Sequence, residues 1–297
     1  MKKRLFLLFV FTMGIGLLWK PTIILAGQNA FLSKSAENGF PDVLSFKSQL
    51  SSRHDKGELL FYLGYAHRHD WEAPVSGLKG RLDSWGMVRA DYWVAANVAL
   101  QVRGVIHNRL RSNNGQFRKT FWDVGDFSVS TVAFFFREEA YRPAFGVRIE
   151  TKLPNSNLSS GLGTNTTDVL ICGLITKNIG RLTFGGEIGL GILTAPKKVN
   201  EQNDVLMYRG ALLLPLSTVI RLAVEVSGFE VTRPEEGVPL GTESRGVVSA
   251  GAQLNFGWFK LEGMALHGLH RRSGEWGVQV GGSWRIAAIS KLLKDSE

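Results

Sequence analysis

The segment Ile220-Arg221-Leu222-Ala223-Val224-Glu225-Val226 carries apolar side chains at every second position, with Arg221 and Glu225 between them. Successive side chains of a β-strand point to opposite faces, so this segment predicts a strand with one apolar and one polar face. The same alternation appears in Leu59-Phe61-Leu63-Tyr65, Val88-Ala90-Tyr92-Val94, Val98-Leu100-Val102 and Leu182-Phe184-Gly186-Ile188-Leu190. Repeated segments of this kind, about ten residues long, are typical of a transmembrane β-barrel.

Twelve such segments can be counted between residues 58 and 286. They are 58–68, 84–94, 97–107, 124–136, 143–152, 166–177, 180–193, 204–214, 218–229, 245–255, 257–267 and 275–286. The gaps between them alternate in length, and the long ones are 69–83, 108–123, 153–165, 194–203, 230–244 and 268–274. Outer-membrane barrels have short periplasmic turns and long extracellular loops, and an even strand number puts both termini in the periplasm. We therefore predict an all-β fold, a transmembrane antiparallel β-barrel of about 12 strands and of the outer-membrane type.

The N-terminus predicts export from the cytoplasm. A basic start, Met1-Lys2-Lys3-Arg4, precedes an apolar stretch that ends before Lys20, and Ala26 offers a small residue for cleavage. This pattern indicates a cleaved signal peptide over 1–26, with an uncleaved membrane anchor as the alternative. We assign 27–57 to a periplasmic N-terminal extension, 58–286 to the barrel and 287–297 to a C-terminal periplasmic tail.

Composition narrows the possible classes further. The net charge of +9 falls to +5 once the four basic residues of the signal, Lys2, Lys3, Arg4 and Lys20, are removed. No run of Lys and Arg resembles a nucleic-acid-binding arm, so we predict no nucleic-acid partner. Cys172 is the single cysteine, which excludes a disulfide framework within the chain and any metal site with two cysteines. Seven tryptophans outside the signal lie close to predicted strand ends, where two interfacial girdles would place them.

The polar face of the predicted strands is rich in charge. Because a charge facing lipid at mid-bilayer costs roughly 2–4 kcal/mol, these side chains are predicted to line the lumen. They are Arg89, Asp91, Arg103, Arg148, Glu150, Arg181, Glu187, Arg209, Arg221, Glu225, Lys260, Glu262 and Arg285. One interpretation is a ladder of salt bridges that fills a narrow interior, and the other is a weakly anion-selective pore, since basic residues outnumber acidic ones eight to five.

Two predicted strands are apolar on both faces. They are Thr131-Val132-Ala133-Phe134-Phe135-Phe136 and Val169-Leu170-Ile171-Cys172-Gly173-Leu174-Ile175. A local apolar patch in the lumen or a β-bulge would explain either one, and a patch would suit a hydrophobic permeant. The alternative is a wall that packs on the N-terminal extension inside the barrel.

Residues 123–193 carry a recognisable set of motifs. Gly125-Asp126 opens a strand, Lys152-Leu153-Pro154 begins a loop, and Gly161-Leu162-Gly163 precedes Asp168 at the next strand. The set resembles the outer-membrane family named for the meta-pathway of phenol degradation, although Asp123 stands where that family has its first glycine. The resemblance implies an outer-membrane barrel of transport function, often linked to hydrophobic or aromatic compounds, and it supplies no catalytic residues. We expect Gly161, Gly163, Pro154 and Asp168 to act in structure, with contact to a permeant as the alternative.

A few histidine, serine and arginine residues raise other chemical possibilities. His107 and Ser112 raise the possibility of an outer-membrane lipid hydrolase, but their spacing differs from that of such enzymes. His67, His69, His267 and His270 are expected near the outer rim, as solvated side chains close to lipopolysaccharide phosphates or, alternatively, as metal ligands. Arg109, Arg111, Arg118, Lys119, Arg271 and Arg272 favour the phosphate interpretation.

The sequence thus predicts a non-enzymatic outer-membrane channel or transporter for small molecules, hydrophobic or aromatic ones among them. A sealed structural or surface-interaction barrel is the alternative, and a lipid hydrolase ranks third. No cofactor and no metal is expected. The predicted partners are outer-membrane lipid, lipopolysaccharide, a small-molecule permeant and the barrel assembly machinery.

Overall fold

The computed structural model describes residues 56–113, 118–196, 201–234, 237–257 and 259–286. The predicted signal peptide, the extension up to residue 55 and the C-terminal tail lie outside the described residues. No helix among the described residues is long and apolar enough to cross a membrane.

The described residues form thirteen strands joined by turns and loops. They are β1 (Leu59–Glu72), β2 (Lys79–Ala95), β3 (Val98–Asn113), β4 (Arg118–Asp123), β5 (Phe127–Phe136), β6 (Ala144–Leu153), β7 (Asp168–Ile179), β8 (Leu182–Thr194), β9 (Gln202–Pro215), β10 (Ile220–Val231), β11 (Arg245–Asn255), β12 (Phe259–Gly268) and β13 (Trp276–Ile286).

The strands close into one antiparallel barrel. β1 pairs with β2 on one side and with β13 on the other, from Leu59 opposite Ile286 to Arg68 opposite Gly277. β4 and β5 both pair with β3, one after the other along its length, so together they occupy a single place in the wall. The barrel therefore has 12 strand positions, and the prediction of a closed antiparallel 12-stranded barrel is confirmed.

The two ends of the barrel differ in their connections. One end, here called the inner end, holds Leu59, Ile286 and short turns such as 96–97 and 180–181. The outer end carries the connections 73–78, 154–167, 195–201, 232–244 and 269–275, and all but 73–78 are at least as long as 137–143, the longest connection of the inner end. Two of the predicted long loops are largely strand, because 69–83 contains the end of β1 and the start of β2, and 108–123 forms a hairpin of β3 with β4. The many charged residues in these two segments led to the prediction of loops. They are strands all the same, because a strand that projects beyond the apolar band can carry polar side chains on both faces.

Alternate side chains along the strands are buried and exposed. On β7, Leu170, Cys172 and Leu174 are buried, whereas Val169 and Ile171 are exposed. The exposed set is apolar on nearly every strand, and the buried set contains most of the charged residues of the wall. The apolar outer face and polar inner face are those of a barrel that sits in lipid.

A bulge in β2 reverses this alternation near the outer end. Gly86 has a φ of 64° and lies at a register shift between β1 and β2. Towards the inner end, Met87, Arg89, Asp91 and Trp93 are buried, whereas towards the outer end Leu82 and Ser84 face inward. The extra residue therefore turns Asp83 and Trp85 to the outer surface of the wall.

Tryptophans occupy both girdle and interior positions. Trp85 and Trp122 have their ring centroids 6.3 Å apart near the outer end, and Trp284 lies 5.1 Å from Phe259 near the inner end. Trp276 and Trp284 are eight positions apart on β13, which corresponds to about 27 Å along the strand. The prediction that all seven form girdles is wrong for Trp71 and Trp93, which are buried inside the barrel, and Trp258 lies outside the described residues.

Candidate functional site

Five charged residues form a connected network on the inner face of the wall, here called the interior charge band. They are Arg103 on β3, Arg148 and Glu150 on β6, Glu187 on β8 and Arg209 on β9. Each lies four to six residues from the inner end of its strand, and all five side chains are at most 8% exposed. Alternation brings them to one face, and the matching offsets bring them to one level of the wall.

Ion pairs connect the interior charge band across half of the wall. Glu150 accepts from Arg103 and lies 3.6 Å from Arg148 and 3.8 Å from Arg209. Glu187 accepts from Arg148 and from Arg209, the latter at 3.3 Å. Each carboxylate is thus surrounded by guanidinium groups of different strands, and three cations share two anions.

Seven of the eight remaining predicted lumen residues lie on the inner face of the wall or at its inner rim. Asp91 accepts a hydrogen bond from Arg89 Nε at 2.6 Å, and both residues are buried. Glu225, Lys260 and Glu262 are also buried, and Arg221 is half-buried. Arg285 lies at the inner rim, where its Nε is 3.0 Å from Glu58.

Arg181 does not belong to the lumen. It lies in the exposed turn between β7 and β8, because the strand that was predicted to start at residue 180 starts at Leu182. Without Arg181 and Arg285, the eight basic residues become six against five acidic ones. The interior is therefore closer to charge balance than the sequence indicates.

Apolar side chains line the inner face on the inner-end side of this band. Trp93, Ala99, Val132, Phe134 and Ala144 are buried there on four strands. A second buried group, Leu170, Cys172, Leu193, Val205, Met207 and Phe229, lies towards the outer end of β7 to β10. The sequences of β5 and β7 are apolar on both faces because their inward-facing residues belong to these two groups. In addition, the pairing of β5 with β6 is irregular between Phe134 and Phe136.

The motif residues of the sequence meet at the outer end in one buried cluster, here called the mouth cluster. Lys152 Nζ lies 2.5 Å from Asp168 and 3.5 Å from Asp126. It also donates to the hydroxyl of Thr164 and, at 3.2 Å, to that of Thr166. Lys152, Asp126 and Asp168 are each under 9% exposed. Residues that lie far apart in sequence thus share one lysine.

The mouth cluster also fixes loop 154–167. Asp126 accepts from the backbone amide of Ser156 at 2.9 Å, and Asp123 accepts from that of Asn157 at 3.0 Å. Asp168 accepts from the amide of Thr194 at 2.9 Å, which joins the next outer loop. Carboxylates that accept several amide hydrogens hold a loop in place, since those backbone groups would otherwise be unpaired.

Loop 154–167 reaches over the barrel to loop 73–78. The Gly161 carbonyl accepts from the amides of Val75 and Ser76, both at 3.3 Å. Gly161 has a φ of 66°, and a Cβ there would lie 2.5 Å from Ser76 Cβ, so both conformation and space require glycine. The next residue, Leu162, is fully buried with Trp71, Ala73, Leu82 and Leu110. The loop therefore packs into the outer mouth of the barrel rather than extending away from it.

Other outer loops are joined by arginines. Arg272 lies 2.5 Å from Glu243 and 3.3 Å from Glu72, and Arg245 donates to the Glu72 carbonyl at 2.9 Å. Arg245 also lies 5.6 Å from the ring centroid of Trp71. Loops that follow β1, β10 and β12 are thus tied together beside loop 154–167.

The proposed hydrolase pair is not formed. His107 stacks on Trp85 and contacts Trp122 at 4.7 Å between ring centroids on the outer surface. Ser112 is buried, and its hydroxyl donates to the Lys79 carbonyl at 2.7 Å. The two side chains lie on opposite faces of the wall because they are five residues apart on β3, and residues an odd number apart in a strand point to opposite faces. They cannot act as nucleophile and base in this arrangement.

The rim histidines have separate partners. His67 contacts Asp83 at 2.8 Å, His69 stacks on Trp276 and His270 contacts Glu230 at 2.7 Å, while His267 is exposed. Across the described part of the chain, no three His, Cys, Asp or Glu side chains are grouped so that they could hold a metal ion.

Several residues of these sites gave no signal in sequence. Thr164 and Thr166 lie in a polar loop, and Leu162 stands out in the sequence only as the middle residue of a glycine motif. Asp83, on the outer surface, fell in a predicted loop. Gly86 was the one available signal, because an isolated glycine inside a strand pattern marks a bulge.

Comparison with solved structures found outer-membrane proteins with a similar β-barrel fold. An outer membrane channel from Pseudomonas putida F1 superposes with a TM-score of 0.58 at 14% identity, covering 80% of this chain and 98% of that one. The translocator domain of the autotransporter NalP from Neisseria meningitidis gives 0.40 at 15% identity, covering 78% and 90%. The outer membrane channel DcaP of Acinetobacter baumannii gives 0.35 at 11% identity, covering 76% and 71%. No protein-family model and no curated protein matches the chain. At such identities the first likeness supports the fold.

Proposed function

We propose that this chain is an outer-membrane channel for small molecules. The observation that carries the proposal is the interior charge band inside a wall whose outer face is apolar. Replacing buried ion pairs with well-packed apolar side chains is often neutral or stabilising, so stability alone does not favour such a band. A passage for solutes does favour it, because guanidinium and carboxylate groups can take over the hydration of a polar or ionic permeant.

The interior also suits molecules with an apolar part. Apolar groups that include Trp93, Phe134 and Phe229 flank the band on both sides along the barrel axis. Guanidinium groups stack on aromatic rings and pair with carboxylates, so an aromatic acid would find partners at each level. This proposal agrees with the resemblance to the family named for phenol degradation, which gives hydrophobic or aromatic compounds as the expected cargo.

Location in the outer membrane is part of the same proposal. The closed barrel, its girdles and the predicted signal peptide support export and insertion by the barrel assembly machinery. Fractionation of cells that express the full chain tests it. The protein should be found in the outer membrane, at a mass reduced by signal cleavage, and recovery from the inner membrane would contradict the proposal.

Conductance measurements test the channel itself. Purified, folded protein in planar bilayers should give discrete current steps, and liposomes that contain it should swell in aromatic acids faster than liposomes with heat-denatured protein. Folding is checked by the heat-dependent mobility shift that barrels show on gels. A folded protein that gives neither current nor swelling would overturn the proposal.

A sealed barrel is the second candidate, and burial of the charges favours it. The five side chains of the interior charge band are at most 8% exposed, and each has an ionic partner. In a sealed barrel these pairs would serve as a polar core. The two functions are separated by the same recordings, since only the channel gives a current that depends on the charges of the band.

A further inference from the structure

The outer surface of the wall carries a basic and aromatic site, here called the outer arginine patch. It consists of Arg81, Asp83, Arg109 and Arg111 with the rings of Trp85 and Trp122. Register places Asp83 opposite Arg109 and Arg81 opposite Arg111 on β2 and β3. The Gly86 bulge described above turns Arg81 and Asp83 of β2 away from the barrel interior, and Arg109 and Arg111 of β3 lie beside them on the same face.

Asp83 is the buried acceptor that connects the residues of the patch. Its side chain is 3% exposed and accepts from Arg109 at 2.9 Å, Arg111 at 2.7 Å and the Tyr65 hydroxyl at 2.8 Å. His67 contacts the same carboxylate at 2.8 Å. A single carboxylate with this many donors is saturated, and it fixes the two arginines side by side.

Aromatic rings fix the other face of the arginines. The Arg109 guanidinium lies 4.3 Å from the ring centroid of Trp85 and 5.2 Å from that of Trp122. Both rings belong to the outer girdle, and Trp122 is 50% exposed. Cation–π contacts and the girdle together place this positive charge at the level where acyl chains meet head groups.

The patch has more positive than negative charge. Within it, three guanidinium groups face one carboxylate, and the Arg111 side chain is 51% exposed. Arg81 is also exposed and is the direct cross-strand neighbour of Arg111. Like charges directly opposite each other destabilise a sheet, so an anion between them would be favourable.

We propose that the outer arginine patch binds a phosphate group of the phosphorylated glycolipid of the outer leaflet. Arg81 and Arg111 present planar donors that match phosphate oxygens. Trp122 and the apolar wall below it contact the acyl chains. The inference rests on the proposed location in the outer membrane, but not on conduction, so a protein without current can still bind the lipid.

Lipid binding by the detergent-solubilised full chain tests this proposal. Native mass spectrometry compares bisphosphorylated lipid A with dephosphorylated lipid A and with inorganic phosphate as competitor. We expect that removal of the phosphates, or the substitution Arg111→Gln, lowers the affinity for lipid A about tenfold. A change of this size corresponds to the loss of one hydrogen bond between charged groups. Arg81→Gln is a second exposed variant that leaves the Asp83 contacts intact, and it should act in the same direction.

Arg142→Gln is the matched control. Arg142 is 50% exposed, pairs with Glu139 at 2.6 Å and lies 5.4 Å from the Phe136 ring centroid, but it sits at the inner end. This variant should bind lipid A as the unchanged protein does. Equal binding of the dephosphorylated lipid, an equal loss in Arg142→Gln, or complete displacement by millimolar inorganic phosphate would overturn the proposal.

Discussion

The interior charge band and the mouth cluster both consist of buried ion pairs, but their partners differ. In the band, Glu150 and Glu187 are surrounded by arginine side chains of other strands. In the mouth cluster, the carboxylates also accept backbone amides, Asp126 from Ser156 of loop 154–167 and Asp168 from Thr194. The difference indicates separate roles, since side-chain pairs set the charge along a passage, whereas amide-bound carboxylates fix the position of a loop.

Lys152→Met should give the largest effect. Lys152 is the cation between Asp126 and Asp168, and removal of one partner of a buried pair costs about 3–5 kcal/mol. The unfolding midpoint in detergent should fall strongly, and loop 154–167 should become sensitive to protease. Arg142→Gln, which breaks an exposed pair, should change the free energy of unfolding by about 1 kcal/mol or less. Similar midpoints for the two variants would contradict a structural role for the mouth cluster.

Gly161→Ala should loosen the same loop without removing a charge. Its φ of 66° and the contact with Ser76 together suggest a cost of about 2–4 kcal/mol. Gly77 is the control, because it has a φ of 67° in the adjoining loop but open space around its Cα. Gly77→Ala should cost only about 1–2 kcal/mol, the cost of the backbone conformation. If loop 154–167 restricts the outer mouth, Gly161→Ala should also raise the conductance more than Gly77→Ala does. Equal currents in the two variants would show that the loop does not restrict the mouth.

The fold was predictable because one physical rule repeats along the chain. Alternation and the lengths of the gaps follow from a wall that is apolar outside and polar inside, as β7 and β10 illustrate. The convergence of Asp126, Lys152 and Asp168 was visible only as separate motifs, because sequence does not show which outer loops turn inward. The reversal of facing at Gly86 was missed for a related reason, since a bulge changes every later side chain but leaves the composition unchanged.

Glu150→Gln tests the role of the interior charge band. The amide keeps the shape and an acceptor oxygen but removes one negative charge from among Arg103, Arg148 and Arg209, at a cost of about 1–3 kcal/mol. In a salt gradient across a planar bilayer, the reversal potential should shift towards anion selectivity, while Arg103→Gln should shift it towards cations. An unchanged reversal potential in both variants would show that ions do not pass this level of the wall.

The comparison between Arg181→Gln and Arg209→Gln is the most direct one, and its expected effect is the smallest. Both remove one positive charge, and the sequence places both on the polar face of a predicted strand. In the structure Arg209 is 5% exposed within the interior charge band, whereas Arg181 lies in an exposed inner turn. Charges separated from the passage by solvent are screened within about 8–10 Å at physiological salt. Arg209→Gln should therefore shift the reversal potential towards cation selectivity, and Arg181→Gln should leave it unchanged. An equal shift in both variants would mean that surface charge at the inner end, and not the interior charge band, governs selectivity.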